Sequence, residues 1–235
     1  MVDGIWLYLP HPVEQFLAQV LKAKFTECDY QGAQAYLSQT LPEGSYLTRN
    51  GAQVLYQAKR VLDHLGVLFW ISGGTCLGWY RQCGLIPYSN DIDVEIPIQH
   101  YSANIVPAFL KAGFKLVHVK GKRSDSYQIA MIANNIKFDV YFIYEEKTHR
   151  WVGTTDSTNG KKYKYILPKF DTCWTDFKGC RVRVPCPTLP YITAYYGENW
   201  NTSVKRWNWR RSNSNAQKNG VWPKDEWKIK KSNRF

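Results

Sequence analysis

The stretch FWISGGTCLGWYRQCGLIPYSNDIDVEIP, residues 69–97, decides the fold of this 235-residue chain. Together with the two residues before it, its patterning predicts, in chain order, a buried strand (67–71), a Ser-Gly-Gly turn (72–74), a short helix (75–83), a loop (84–90) and a second strand (91–97). In that second strand apolar residues alternate with three acids, which therefore share one face: Asp91, Asp93 and Glu95.

Two of these acids form a candidate metal site. Asp91 and Asp93 stand at positions i and i+2, so their carboxylates project together and could share a hard divalent cation that bridges a diphosphate. A strand face made only of acids also repels itself unless a cation lies there. The alternative is a solvated strand face without metal, since an isolated Asp-x-Asp pair is a weak signal.

Further features on either side strengthen the metal interpretation. Gly73 and Gly74 let the backbone approach a phosphate closely, and the first amides of the following helix can donate to it. Asp139 lies in a predicted strand, opposite its apolar face, where it could complete the ligand set or take a proton from an acceptor hydroxyl. The order Gly-Gly, Asp-x-Asp, Asp on successive elements is typical of the nucleotidyltransferase fold.

The rest of the chain predicts helices and strands around this core. An amphipathic helix covers 54–65 and ends at Gly66, while residues 13–25 and 31–39 are loosely helical. Later elements follow in order: a helix (103–112) and strands (114–119, 126–132, 136–143), the last two joined by a hairpin at Asn134-Asn135. We therefore predict an α/β (α+β) nucleotidyltransferase-like fold, a mixed sheet flanked by helices, with a helical lead-in (1–66) and a catalytic domain (67–235) that ends in an irregular tail.

Composition indicates a surface that attracts anions. The net charge is +12, and residues 205–235 hold ten Lys or Arg against two acids together with four tryptophans. Those indoles could stack on sugars or bases, or they could pack beneath a solvated basic face. No run approaches the roughly 18 apolar residues of a spanning helix. The sequon Asn201-Thr202-Ser203 favours the secretory pathway.

Residues 69–83, followed by Ile86-Pro87-Tyr88-Ser89, resemble the fukutin and LicD family of phosphotransferases. Agreement continues in the same order through further segments: Gly160-Lys161-Lys162-Tyr163-Lys164-Tyr165, Pro168-Lys169-Phe170, Val184-Pro185-Cys186, Tyr195-Tyr196-Gly197, Asn219-Gly220-Val221-Trp222-Pro223 and Glu226-Trp227. The resemblance covers nearly the whole chain. LicD proteins often carry several Asp before Ile-Asp, whereas Ser89-Asn90 precede Asp91 here.

The resemblance implies an enzyme of the Golgi lumen that transfers ribitol 5-phosphate from CDP-ribitol to an O-mannosyl glycan, using Mg or Mn. Bacterial LicD relatives transfer phosphocholine from CDP-choline, so family members share the type of reaction more than the group that they transfer. The implied partners are a CDP-alditol donor, a glycan or glycoprotein acceptor and other glycosyltransferases, with no nucleic acid expected. Family members also carry an N-terminal anchor and stem, and we expect this chain to start after them or to lack them.

We assign metal binding and catalysis to Asp91, Asp93 and Asp139, with Asp139 as third ligand or base. The residues assigned to substrate binding are Gly73, Gly74, Thr75, Arg81, Tyr88, Lys161, Lys162 and Lys164. Several of these have alternatives. Arg81 could grip the donor diphosphate, pair with a catalytic Asp or be solvated. Tyr88 could stack on cytosine or pack in its loop. The lysines occupy a predicted mobile loop, where they contact phosphate or glycan or are merely solvated.

Two residue types leave more than one interpretation open. Glu95 is expected to be a surface or loop-paired acid, or else to support a metal ligand. Cys173, Cys180 and Cys186 predict a disulfide or buried thiols, with a zinc site that includes His149 as a weaker alternative. Cys76 and Cys83 lie two helical turns apart and are too distant to bridge if that helix is regular.

Two other functional classes remain compatible with the sequence. Nucleotidyl transfer to RNA would use the same core and the basic surface, and it predicts strong, salt-dependent RNA affinity. A non-catalytic glycan-binding or scaffold protein would keep the fold, and it predicts that substitution of Asp91 has no functional effect.

Overall fold

A mixed sheet carries the candidate site between its central strands. The computed structural model describes residues 13–14, 17, 24–40, 44–209 and 212–227. The helices are α1 (Tyr30–Thr40), α2 (Tyr46–His64), α3 (Gly73–Gln82), α4 (Ile105–Lys111), α5 (Thr188–Tyr196) and α6 (Lys224–Trp227). The strands are β1 (Lys24–Phe25), β2 (Trp70–Ile71), β3 (Asp91–Pro97), β4 (Lys115–Lys122), β5 (Asp125–Ala133), β6 (Ile136–Glu145), β7 (Arg150–Thr155), β8 (Lys161–Leu167), β9 (Asp171–Phe177), β10 (Cys180–Cys186) and β11 (Ala216–Val221).

Within these residues eight strands form the main sheet. Its path runs β11-β8-β7-β6-β3-β2, and β5 joins β6 beside β7 and carries β4. The β3–β6 pair is parallel, whereas the other pairs of this sheet are antiparallel. A smaller sheet has the order β1-β9-β10. The predicted α/β (α+β) fold with a mixed sheet and flanking helices is confirmed, while the division of the chain at residue 66 stays a prediction.

Helix α2 shows how the sequence sets an element and its packing. It begins at Ser45, whose side chain accepts a hydrogen bond from the Thr48 amide over 3.2 Å, and this cap satisfies one of the free amides of the first turn. Leu65 ends it, and Gly66 then takes a φ of +65° that favours glycine. Its apolar face is buried on the core: Val54, Leu55, Ala58 and Leu62. Burial of each larger side chain there contributes roughly 1.5–3 kcal/mol.

The predicted hairpin between β5 and β6 is also confirmed. Asn134 and Asn135 have φ values of +48° and +57°, which suits a two-residue turn whose twist matches the flanking strands. The turn sets the register that places Ala130 opposite Asp139. The hairpin therefore fixes the position of the third candidate carboxylate.

Both ends of the chain correct the sequence-based boundaries. The tail is not wholly irregular, because residues 216–221 form β11 and pair with β8. The predicted helix over 13–25 is helical at residues 13, 14 and 17, whereas residues 24–25 form a strand, and residues 15–16 and 18–23 lie outside the described residues. None of the described helices combines the length and the apolar character needed to cross a bilayer.

The cysteines form two disulfides. Cys28 bonds to Cys83, and Cys173 bonds to Cys186. The zinc hypothesis for Cys173, Cys180 and Cys186 is wrong, because two of the three sulfurs are committed to a disulfide. Cys28 precedes α1 and Cys83 ends α3, so the first bond ties the lead-in to the helix that starts at the Gly-Gly turn.

Candidate active site

Three carboxylates meet where β3 and β6 run side by side. The parallel register places Asp93 next to Asp139 and Asp91 next to Lys137. One oxygen from each of Asp91, Asp93 and Asp139 lies within 4.8 Å of the others. Residues two apart share a strand face, so the alternation of β3 and the pairing with β6 together bring these groups into one cluster.

Gly73 and Gly74, the first two residues of α3 and called the Gly-Gly turn below, hold the central carboxylate of this cluster. Gly74 donates its amide to Asp93 Oδ2 over 3.3 Å, at the start of α3, where free amides favour a negative charge. Gly73 has a φ of +47°, and a Cβ built there would lie 2.9 Å from Asp93 Oδ2. Glycine is needed here for both its backbone conformation and the close approach.

Thr75 and Ser89 fix the two acids of β3 from either side. Thr75 is buried, and its Oγ1 accepts from the Asp93 amide over 2.9 Å. Ser89 donates its hydroxyl to Asp91 Oδ1 over 2.6 Å. Thr75 was assigned to substrate binding, but its hydroxyl is engaged in tying α3 to β3.

The cluster carries more negative charge than its neighbours neutralise. Burial, followed by the charges of Asp91 and Asp139, raises the pKa of Asp93 well above its usual range. Burial also raises the pKa of Asp139, whose side chain is 1% exposed. Asp139 Oδ1 has no hydrogen-bond partner among the described residues. A buried carboxylate oxygen without a donor is costly.

These residues fit a divalent cation. The donor set consists of carboxylate oxygens, which are the ligands that Mg²⁺ and Mn²⁺ prefer. Asp139, which carries the unpartnered oxygen, belongs to the same cluster as Asp91 and Asp93. A cation would give that oxygen a partner and remove the mutual repulsion of the three acids.

A cavity of about 560 Å³ opens over the cluster. Its walls include the Gly73-Gly74 turn and all three aspartates. A cavity of this size lies within the range of small-molecule sites, roughly 300–1,000 Å³. The carboxylates therefore stand in the wall of a space that a nucleotide-sized ligand can enter.

One wall of the cavity is basic and was missed by sequence reasoning. It consists of side chains from three neighbouring strands: His118, Lys120, Gln128 and Lys137. Lys137 forms an ion pair with Asp139 Oδ2, whereas His118 Nε2 has no hydrogen-bond partner among the described residues. Burial, followed by the charges of Lys120 and Lys137, lowers the pKa of His118 to about 4. A signal for Lys137 was present, since it precedes Asp139 by two residues on one strand.

Another part of the cavity lining is aromatic and comes from residues 196–213. Tyr196 and Trp207 pack with ring centroids 4.9 Å apart, and Trp207 donates its indole N–H to Asn213 Oδ1 over 3.1 Å. Both rings line the cavity together with Trp200 and Trp209. By contrast, Trp222 donates its N–H to Thr155 and packs under Lys162. The tail tryptophans thus divide between cavity lining and packing, and the Trp227 side chain lies outside the described part of the chain.

Arg81 lines the cavity, but its surroundings differ from two of the expectations. Within the described part of the chain it pairs with no aspartate, and its side chain is buried rather than solvated. Its guanidinium donates to Gln82 Oε1 over 3.0 Å and to the Trp200 carbonyl over 3.3 Å, and it lies over the Tyr36 ring. Tyr88 borders the same space, with its hydroxyl 2.8 Å from Ser203 Oγ.

The predicted loop of Lys161, Lys162 and Lys164 is wrong, because all three lie in β8. Pairing with β11 turns this polar stretch into a strand. Lys162 bonds to Asp125 Oδ2 over 2.5 Å, and Lys164 lies 3.8 Å from the Trp151 ring centroid. The three side chains are absent from the described lining of the cavity, so the structure does not bring them to the carboxylates.

Glu95 corrects another expectation. It shares the strand face of Asp91 and Asp93, but it is 1% exposed and accepts hydrogen bonds from three side chains: Trp70 (2.8 Å), Tyr191 (2.9 Å) and Tyr195 (3.1 Å). It is therefore not a surface or loop-paired acid. Tyr191 also accepts the Gly73 amide over 3.3 Å, so Glu95 connects to the Gly-Gly turn through one side chain.

Comparison with known proteins places this site in context. A family model described as LicD/FKTN/FKRP, nucleotidyltransferase domain, matches residues 66–187. The chain is 45% identical over 231 residues to the Homo sapiens protein named ribitol-5-phosphate transferase FKTN, and 44% identical over 231 residues to the Mus musculus protein of the same name. Each alignment covers 96% of this chain and 50% of the relative. The chain thus spans about half the length of the curated relatives it matches.

Proposed function

The chain belongs to the LicD/FKTN/FKRP nucleotidyltransferase family, and we propose that it transfers ribitol 5-phosphate from CDP-ribitol to a glycan in protein O-mannosyl glycosylation. The observation that carries the proposal is the cluster of Asp91, Asp93 and Asp139 in the wall of a nucleotide-sized cavity. Its support from relatives is the 44–45% identity to proteins named ribitol-5-phosphate transferase.

The proposed reaction is a phosphoryl transfer. An acceptor hydroxyl oxygen attacks the phosphorus that bears ribitol, the bond from that phosphorus to the bridging oxygen breaks, and CMP leaves with the electron pair. The acceptor proton passes to a base. Such transfers ask little covalent chemistry of the protein, so the cavity contributes chiefly by aligning donor and acceptor beside the carboxylates.

Asp91 and Asp93 would hold a divalent cation, Mg or Mn, which supplies charge neutralisation at the diphosphate. Asp139 serves as third ligand or as base. Measurement of Mn²⁺ affinity separates these roles, because Asp139→Asn weakens Mn²⁺ binding if Asp139 is a ligand and leaves it nearly unchanged if Asp139 is the base. Arg81 and Tyr88 stay candidate donor contacts because both line the cavity.

For the compartment we propose the Golgi lumen. The two disulfides favour an oxidising compartment, and Asn201 of the sequon is exposed. The product of the complete gene should then carry a glycan that an endoglycosidase removes and that Asn201→Gln abolishes. Unmodified protein found only in the cytosol would contradict this placement.

The experiment that tests the activity uses a panel of CDP donors. The protein is incubated with CDP-ribitol, CDP-glycerol or CDP-choline, an O-mannosyl glycan acceptor and Mg²⁺ or Mn²⁺, and products are identified by mass spectrometry. We expect CMP release and a mass gain of one ribitol phosphate on the acceptor, and none with Asp93→Asn. Transfer of another group would reassign the cargo, and CMP release without a modified acceptor would contradict the proposed acceptor class.

A further inference from the structure

The ammonium group of Lys137 lies within the carboxylate cluster itself. Lys137 is bonded to Asp139 Oδ2, and its position on β6 is next to Asp91 across the parallel pair. We propose that Lys137 is an internal counterion, which holds the place of the cation in the metal-free protein and moves to the donor diphosphate when a divalent ion binds. The second half of this inference rests on the proposed function, whereas the first half does not.

Lys137 is an incomplete substitute for a divalent ion. Its single charge faces three carboxylates, and it satisfies only Oδ2 of Asp139, since Oδ1 has no partner among the described residues. Among the described residues, Asp91 receives a hydrogen bond from one serine hydroxyl and Asp93 receives one from a backbone amide. A divalent ion carries twice the charge and accepts several oxygen ligands at once. A divalent ion held by these carboxylates would repel the Lys137 ammonium and compete with it for their oxygens.

The cavity offers the displaced ammonium a destination. Lys137 lines the cavity, and its side chain is 37% exposed, whereas that of Asp139 is 1% exposed. A lysine side chain is a flexible four-carbon stem with a point charge at its end, so it can turn from Asp139 toward the open space. A diphosphate bound at the cluster would then replace Asp139 as the negatively charged partner of the Lys137 ammonium.

Lys137 is better placed for this role than Arg81, the cation that the sequence suggested. Arg81 is 6% exposed, and its guanidinium already donates hydrogen bonds to Gln82 and to the Trp200 carbonyl. A group held in this way must break protein hydrogen bonds before it can reach a phosphate. Among the described residues the Lys137 ammonium pairs with Asp139 alone, and a cation at the carboxylates would weaken that pair.

The test measures ligand affinity rather than turnover. Lys137→Met, Lys137→Arg and the control Lys111→Met, an exposed lysine at the end of α4, are made in the full chain. Mn²⁺ affinity is measured by calorimetry without nucleotide, and CDP affinity is measured at saturating Mn²⁺. We expect Lys137→Met to bind Mn²⁺ about tenfold more tightly, because the competing cation is gone, and CDP about tenfold more weakly, because a charge-assisted contact is lost.

The controls make each outcome decisive. Lys137→Arg should restore both affinities toward the wild-type values, and Lys111→Met should leave both unchanged although it removes the same formal charge. Mn²⁺ affinity that is unchanged or weaker in Lys137→Met would overturn the counterion role, and unchanged CDP affinity would overturn the diphosphate contact. Tighter Mn²⁺ binding in a protein that transfers no ribitol phosphate would uphold the counterion and reject the proposed function.

Discussion

Asp93 and Glu95 are two residues apart on one face of β3, yet their surroundings differ in kind. Glu95 accepts hydrogen bonds from an indole and two phenols, all of them neutral donors. Asp93 receives one backbone amide and faces the carboxylates of Asp91 and Asp139. Burial is the largest cause that raises the pKa of both groups, but the hydrogen bonds oppose the rise at Glu95 whereas neighbouring charges add to it at Asp93.

This difference separates a structural carboxyl from one that we propose binds a metal. Neutral donors satisfy the hydrogen-bonding capacity of a carboxyl group without a cation, so Glu95 needs no partner from outside the protein. Like charges leave Asp93 and its neighbours incomplete, and a divalent ion resolves that conflict. The acids on the face of β3 thus divide into two proposed metal ligands at one end and one hydrogen-bonded anchor at the other.

The largest expected effect comes from removing a carboxylate charge at the end of β3 that carries Asp91 and Asp93. Asp93→Asn keeps shape but loses a metal-binding charge, so turnover should fall on the order of a thousandfold, about 4 kcal/mol in the barrier. Asp91→Asn should behave alike. Stability of the metal-free protein should not fall, because repulsion is relieved. Full activity in either variant would contradict the catalytic assignment. Asp176→Asn, at an exposed aspartate, serves as the control.

An intermediate effect is expected at Glu95 and depends on pH. The pKa of this carboxyl is raised by burial to about 7, above its ordinary value of 4.5. The folded protein therefore binds this proton more tightly than the unfolded chain does. The stabilisation is complete below about pH 4.5 and is lost as pH rises through about 7, a change of about 3 kcal/mol.

Glu95→Gln removes that titration while it keeps the size of the side chain. Denaturant unfolding at pH 5, 6, 7 and 8 should show that the wild-type free energy of unfolding falls relative to the variant as pH rises. Parallel pH profiles for the two proteins would contradict the raised pKa of Glu95 and would mean that its three hydrogen bonds offset its burial.

The contrast also marks how far the sequence could predict the site. Asp91 and Asp93 were predictable because strand alternation is a local rule, and Asp139 followed from the same rule on β6. The role of Glu95 was not, because its partners Tyr191 and Tyr195 lie 96 and 100 positions away. Local pattern placed Glu95 on the acidic face, but its donors come from other elements, one indole from β2 and two phenols from α5.

Other errors have the same origin. The stretch 161–164 looked like a loop because it is polar and follows a glycine, whereas in the fold it is a strand paired with β11, about fifty residues later. Arg81 lines the cavity and stays a candidate donor contact, but its carbonyl acceptor at Trp200 lies 119 positions away and could not be read from the local sequence. The helices and strands of the core could thus be predicted from local sequence. The side chain or strand that each residue contacts could not, because it is set by the fold.

The smallest expected effect tests whether the two ends of β3 communicate. Tyr191 and Tyr195 both donate to Glu95 Oε1, but only Tyr191 also accepts the Gly73 amide, and Gly73 packs against Asp93. Tyr191→Phe and Tyr195→Phe should each lower the free energy of unfolding by about 1–2 kcal/mol, because each removes one hydrogen bond to a buried carboxyl group. Mn²⁺ affinity should separate the pair. Only Tyr191→Phe releases the amide that orients the Gly-Gly turn, so only this variant should weaken Mn²⁺ binding, by a few-fold, in calorimetry. Equal Mn²⁺ affinity in both variants would show that the anchor at Glu95 stabilises the fold without positioning the carboxylates.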